Sequence, residues 1–224
     1  MSRWSRSSPT RCSRTKLPTT GRCAEYDEAV RRDRSALDCP ELQWELARFA
    51  LAADVLELAG GTGGWTVELT RYARHLTVVD ASPATLAINR AKAAGTTRPI
   101  DYVVADLFDW KPTRHYDVVF FSFWLSHVPP AAFDSFWQLV APLLTGGQVL
   151  FIDDAEPRSD PADQDDQERG VSRHRLNDGR QFEIVKVYRR PDDLKRRLGT
   201  LGFDVTVRST GFGHRIVGYG GKRI

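Results

Sequence analysis

Long apolar runs are missing from this 224-residue chain, and with them any candidate for a membrane-spanning helix. Cysteine is scarce as well: Cys12, Cys23 and Cys39 all fall in the first forty residues, with no metal-ligand partners at suitable spacing. That excludes a disulfide framework and suggests free thiols in a reducing compartment, so a cytoplasmic location is expected. Acids are absent from residues 1–24, which hold Arg3, Arg6, Arg11, Arg14, Lys16 and Arg22. This stretch reads as a basic disordered leader, and because the whole chain carries only +3, the remainder is mildly acidic. A mildly acidic body argues against a nucleic-acid-binding face. No internal repeat is present, and 41% hydrophobic content suits one domain over residues 25–224.

The most informative stretch is Asp54-Val-Leu-Glu-Leu-Ala-Gly-Gly-Thr-Gly-Gly-Trp65. It is an apolar strand, a glycine loop and the start of an amphipathic helix. Glycine permits positive φ and lets a ligand approach the backbone closely, while the helix start offers N–H groups to an anionic moiety. A dinucleotide fingerprint would place a third glycine where this chain has Thr66. The next apolar run ends at Asp80, seventeen positions after Gly63, where an acid can accept both hydroxyls of a ribose. Ser82-Pro83 then has the form of an N-cap followed by proline at the first helical position. A further run ends at Asp106 and places a second carboxylate at the same sheet edge.

The order Glu57-x-Ala59-x-Gly61-x-Gly63, followed by Asp80 and Asp106, resembles the class I S-adenosylmethionine-dependent methyltransferases. The likeness runs over roughly residues 25–220 and is strongest to a bacterial branch carrying Phe-Trp-Leu-Ser-His-Val-Pro after strand four. It implies S-adenosylmethionine as cofactor, held by Glu57, Ala59, Gly61, Gly63, Asp80, Ala81, Asp106, Leu107, Ser122 and Phe123. In that family the acid equivalent to Asp106 accepts the adenine amino group. Ser122 and Phe123 stand where family members meet the cofactor's amino-acid end.

Apolar runs at 55–58, 76–79, 102–104, 118–121 and 149–152 alternate with helical segments starting near Trp65, Pro83 and Pro130. Alternation of this kind argues for an α/β fold with helices on both faces of a parallel sheet. Residues 25–52 read as N-terminal helices broken near Cys39-Pro40, with Leu42, Leu46 and Phe49 forming a buried stripe. Residues 155–169 are polar and read as a loop or lid, followed by a β-hairpin turning at Asn177-Asp178-Gly179. A helix from Pro191 to Gly202 and strands at 203–208 and 215–219 complete the chain. With the resemblance, the expected architecture is a Rossmann-like seven-stranded sheet, its last strand antiparallel, with an extra β-hairpin insertion at 155–189.

Candidate chemistry concentrates after strand four. His127 has a side chain suited to accepting a proton near neutrality, so it is a candidate base or substrate-positioning donor. Trp124 and Tyr188 are candidate walls for the acceptor, and Arg189 stands beside them. The Asn/Asp-Pro-Pro-Tyr/Phe motif of many nucleobase amine methyltransferases is absent, as is the two-glutamate hairpin of protein arginine methyltransferases. Asp153-Asp154 lacks the further carboxylate after strand four that a catechol-type metal site needs; the pair reads as the start of the polar lid, and no metal is expected. The expected partner is therefore a small-molecule acceptor, methylated on O, N or C, with no membrane partner, and the sequence leaves the oligomeric state open. Two other readings remain open here: a non-catalytic S-adenosylmethionine-binding regulator, and a nucleic-acid methyltransferase using the basic leader.

Overall fold

The computed structural model describes residues 35–112, 114–144, 146–156, 163–175, 179–211 and 214–223. The basic leader, Cys12, Cys23, residues 25–34 of the expected N-terminal helices and Asn177-Asp178 lie outside the described residues, and residues 35–38, expected to be helical up to the break at Cys39-Pro40, form a turn. Five parallel strands form most of a seven-stranded sheet: β1 (Asp54–Leu58), β2 (His75–Asp80), β3 (Ile100–Val104), β4 (Val118–Ser122) and β5 (Gln148–Asp154). Two later strands, β9 (Phe203–Ser209) and β10 (Arg215–Lys222), complete it in the order β3-β2-β1-β4-β5-β10-β9. The last strand lies antiparallel between β5 and β9, as expected. Order reverses between β1 and β4, so the tips of these neighbours form the crevice where open α/β sheets bind ligands.

Among the described residues, five helices flank the sheet: α1 (Pro40–Ala50), α2 (Gly64–Leu69), α3 (Pro83–Lys92), α4 (Phe133–Val140) and α5 (Pro191–Thr200). Strand alternation divides the core between the two faces. Leu56, Leu58, Val119, Phe121 and Phe151 point toward α4 and α5, where Phe136, Trp137 and Leu198 complete one cluster. Val55, Val118, Phe120 and Ile152 point the other way, against Leu42 and Leu46 of α1, Trp65 of α2 and Leu86 of α3. The same parity sends Glu57 toward α2 and α3. On α4, Phe133, Phe136, Trp137 and Val140 form the buried stripe that period 3.6 dictates. The expected helix from Pro130 opens as a 3-10 turn over Pro130–Ala132 and becomes α-helical at Phe133. Helix α1 is fastened to the sheet by Arg208, which bonds both Glu41 and Glu45.

The insertion contains more structure than the sequence suggests. β6 (Asp163–Asp166), β7 (Val171–Arg175) and β8 (Gln181–Val185) form a separate three-stranded antiparallel sheet, so the expected hairpin gains a third strand within the expected loop.

Close packing in the main sheet leaves no room at Gly218. It faces Phe151 across the β5–β10 ladder, and an added Cβ would overlap the Phe151 ring, which stacks on Phe121 at 5.5 Å. Gly218→Ala is expected to cost about 1–3 kcal/mol by overpacking. Adding Phe151→Leu should return part of that loss in urea unfolding, and purely additive destabilisation would show that the clash is relieved elsewhere.

Candidate active site

The glycine loop between β1 and α2 is built around conformations that side chains disfavour. Gly61 has φ +54° and Gly63 has φ +89°. At Gly63 a Cβ would also come within 2.7 Å of the Asn89 side chain. At Gly61 it would meet only the Ala59 carbonyl, at 3.9 Å, and otherwise point into open space. Gly63 is therefore required by packing, whereas Gly61 presents the side of the loop that a ligand can approach. Two non-glycine residues at the same edge share this strained region: Ala59 at φ +53° and Phe123 at φ +50°, just past β1 and β4. Held strain of this kind concentrates where a backbone must turn sharply beside a ligand.

Beneath the loop lies a buried polar cluster. Asn89 of α3, fully buried, donates from Nδ2 to the carbonyls of Gly60 and Gly61, both at 3.2 Å, and to Thr66 Oγ1 at 2.8 Å. Thr66 in turn donates to Glu57 Oε2 at 2.6 Å. Tyr102 of β3 donates its hydroxyl to Asn89 Oδ1 at 3.3 Å. Glu57 is only 2% exposed, and burial pushes its carboxyl up to about 8, with the Thr66 bond opposing and the Asp80 charge adding to the rise. Near neutral pH it is thus largely protonated and serves as a buried strut. Neither Asn89 nor this use of Glu57 is legible from the glycine motif.

Asp80 closes the crevice on the β2 side. Its Oδ2 accepts from Gly61 N–H at 3.1 Å and its Oδ1 from Ser82 N–H at 2.8 Å. Burial raises its pKa, and those two N–H donors oppose the rise. Ser82 caps α3 by accepting from Thr85 N–H at 3.2 Å, as the Ser-Pro pair suggested. Ala81 beside it is exposed. Asp106 is half-buried and accepts from Phe108 N–H at 3.0 Å, while the Leu107 side chain belongs to the core. The two carboxylates therefore also cap turns, and each caps through bonds that leave carboxylate lone pairs for a ligand.

On the β4 side, Ser122 ends the strand and Phe123 N–H donates to the Ile152 carbonyl at 2.8 Å. Trp124 is half-buried against Phe136 at 6.5 Å, and its buried Nε1 meets no acceptor among the described residues. His127 ends the 3-10 turn Leu125–His127. Its Nδ1 stands 2.7 Å from the Val185 carbonyl. A carbonyl only accepts, so Nδ1 carries the hydrogen, and in the neutral ring Nε2 is the atom that takes a proton. Tyr188 lies under the Lys186 ammonium, 5.4 Å from its ring centroid.

Asp153 and Asp154 do not start the lid. They end β5 and are buried, at 2% and 8% exposure, so the expectation for this pair is corrected. Asp153 accepts from Ser126 N–H at 2.9 Å, and burial raises its pKa. Arg189, expected beside the acceptor pocket, is turned inward onto main-chain carbonyls instead. Among the described residues no cluster of three or more His, Cys, Asp or Glu side chains is arranged for a metal ion.

Comparisons with known proteins decide between the cofactor readings. The family described as "Methyltransferase domain" matches residues 55–147, the stretch from β1 to the turn before β5. The solved complex of DhpI with SAH is 34% identical, with a TM-score of 0.75 over 91% of this chain and 93% of that one. The chain belongs to the class I S-adenosylmethionine-dependent methyltransferases. A DhpI-SAM-HEP complex aligns equally well, at 34% identity and TM-score 0.75 over 89% of this chain and 92% of that chain. The 1,6-didemethyltoxoflavin-N1-methyltransferase of Burkholderia thailandensis is 17% identical, with TM-score 0.63 over 90% of this chain and 84% of its own, and so speaks to the fold alone. No curated protein matches the chain.

This methyltransferase takes S-adenosylmethionine as cofactor, and the residues present fit it. Gly61 offers an open, side-chain-free face beside Asp80, and Asp106 follows β3, the next strand along the same edge.

The state of Glu57 has a measurable consequence. Its folded pKa lies above the ordinary glutamate value, so between about pH 5 and 8 the native state keeps a proton that the unfolded chain has released. Stability from this group therefore falls as pH rises through that window. Glu57→Gln removes the titration, and its stability relative to wild type should rise by about 1–3 kcal/mol between pH 5.5 and 8.5 in urea unfolding. A difference independent of pH would show that Glu57 is ionised in the native state.

Proposed function

We propose that this methyltransferase moves a methyl group to O, N or C of a small-molecule acceptor held between the carboxyl edge of the sheet, the N-terminal helices and the inserted sheet. The observation that carries this reading is the placement of His127. It lies on the turn after β4, with its ring orientation and tautomer set by a carbonyl of the insertion. When bound, S-adenosylmethionine supplies an activated methyl on sulfur, so the protein's task is mainly alignment and exclusion of water. Asp80 would accept from the ribose hydroxyls and Asp106 from the adenine amino group, and the backbone of Gly61, Ser122 and Phe123 would border the cofactor's amino-acid end. Glu57 and Gly63 act one layer further out, by fixing the loop.

The pocket would hold the acceptor's lone pair in line with that methyl group and keep water out of the transfer path. An O–H or N–H acceptor loses its proton to His127 Nε2. Trp124, Phe123 and Tyr188 supply apolar wall around the transfer path, where aromatic faces favour a sulfonium charge. A small acceptor agrees with the mildly acidic body of the chain. Among the described residues no helix is long and apolar enough to cross a membrane. A cytoplasmic site of action is part of this proposal.

The test uses S-adenosylmethionine labelled in the methyl group, incubated with fractionated bacterial extract. Label should enter the small-molecule fraction. His127→Ala should lower that transfer by about 10²–10⁴-fold while S-adenosylhomocysteine affinity stays nearly constant. Label entering RNA or protein, or undiminished transfer by the variant, would overturn the reading.

A further inference from the structure

The return segment of the insertion is fastened to the turn that carries His127 by side chains with no part in the chemistry above. Val187 N–H donates to the Ser126 carbonyl at 2.8 Å, and the neighbouring Val185 carbonyl accepts from His127 Nδ1 at 2.7 Å. Arg189 spans the turn. Its Nη1 donates to the carbonyls of Leu125 at 2.6 Å and Val187 at 3.2 Å, and its Nη2 to that of Val128 at 2.9 Å. The same guanidinium lies 5.0 Å from the Phe133 ring centroid. Lys186, between these residues, donates from Nζ to Ser126 Oγ at 3.1 Å and to Asp154 Oδ2 at 2.9 Å. Asp153 holds Ser126 from below. The turn is thus gripped from the end of β5 on one side and from the insertion on the other.

Such a grip matters for the ring as well as for the fold. An imidazole in water prefers its proton on Nε2, and a carbonyl placed at Nδ1 reverses that preference. The Val185 carbonyl reaches His127 only while the return segment is seated. Arg189 is suited to seating it because one planar fork reaches both ends of the turn and the segment itself. The acceptors of Arg189 are all main-chain carbonyls. Its position therefore depends on the backbone being correctly docked, and it reinforces that docking in return.

We propose that Arg189 and Lys186 are positioning residues for His127: they pin the insertion's return segment to the 125–128 turn, so that docking of the inserted sheet selects the Nδ1–H tautomer and presents Nε2 for proton transfer. This rests on the reading of His127 as the base. It makes the insertion a part of the active site and not only a cover over the acceptor.

The experiment is ¹⁵N NMR of protein labelled in the histidine rings, at a pH where the ring is neutral, with the His127 signal assigned by its loss in His127→Gln. Wild type should show the Nδ1–H pattern. Arg189→Met should shift the signal toward Nε2–H and lower labelled methyl transfer at least tenfold, while calorimetric affinity for S-adenosylhomocysteine changes less than about threefold. Arg189→Lys and Lys186→Gln, milder changes that keep the site filled, should give intermediate shifts and secure the result if the Met variant fails to fold. A wild-type Nε2–H pattern, or an unchanged tautomer in all folded variants, would overturn the proposal. A shifted tautomer with undiminished transfer would leave the latch standing and overturn His127 as the base.

Discussion

The carboxyl edge of this sheet depends on one buried polar cluster, the Glu57–Thr66–Asn89 chain beneath the glycine loop. A glycine loop has no side chains with which to hold itself, so its shape must come from what lies under it. Here Asn89 grips two loop carbonyls and Thr66 in the first turn of α2, and Glu57 of β1 holds Thr66 in turn. The carboxyl at the centre is buried and its pKa is raised, so it sits there in its neutral form while still accepting from Thr66. Asp80 then acts from the outer side, bonding the same loop through Gly61. The loop is fixed before any cofactor contact is made, which is the preorganisation that transfer chemistry needs.

A second anchor holds the turn after β4, on the side proposed to take the acceptor. Asp153, at the end of β5, takes the Ser126 amide, while Lys186 and Arg189 arrive from the insertion onto the same turn. The two halves meet at the reversal of strand order between β1 and β4, where Ala59 and Phe123 are both held at positive φ. In the proposed function, cofactor and acceptor are aligned by separate buried networks that share neighbouring strand tips. A change in one network need not disturb the other, which is why cofactor affinity and transfer rate are expected to separate on mutation.

The parallel strands of the main sheet were readable because each contains an apolar run bounded by glycine, proline or an acid, and α/β order follows from their alternation. β6 was not, because Asp163-Gln-Asp-Asp166 carries no apolar signal and exists by pairing with β7. The carboxylates Asp80 and Asp106 were legible as strand-end acids. Asn89 was not, since the carbonyls it holds lie 28 and 29 positions earlier and a polar residue on a helix reads as surface. Asp153 and Arg189 misled for the same reason. Charged residues in a polar stretch suggest solvent, and only the tertiary fold supplies Ser126 N–H and three carbonyls as partners.

The most direct measurement of the central claim is a calorimetric titration of wild type and Asn89→Asp with S-adenosylhomocysteine, with NADH as the control ligand. The substitution keeps the shape of Asn89 but replaces the amide donor with an oxygen facing two carbonyls. Wild type should bind S-adenosylhomocysteine and not NADH, and Asn89→Asp should lose at least about tenfold in affinity, the cost of unmaking a buried hydrogen-bonded site. Equal affinity in the variant would contradict the claim that the buried cluster shapes the loop, and binding of NADH alone would contradict the site as a whole.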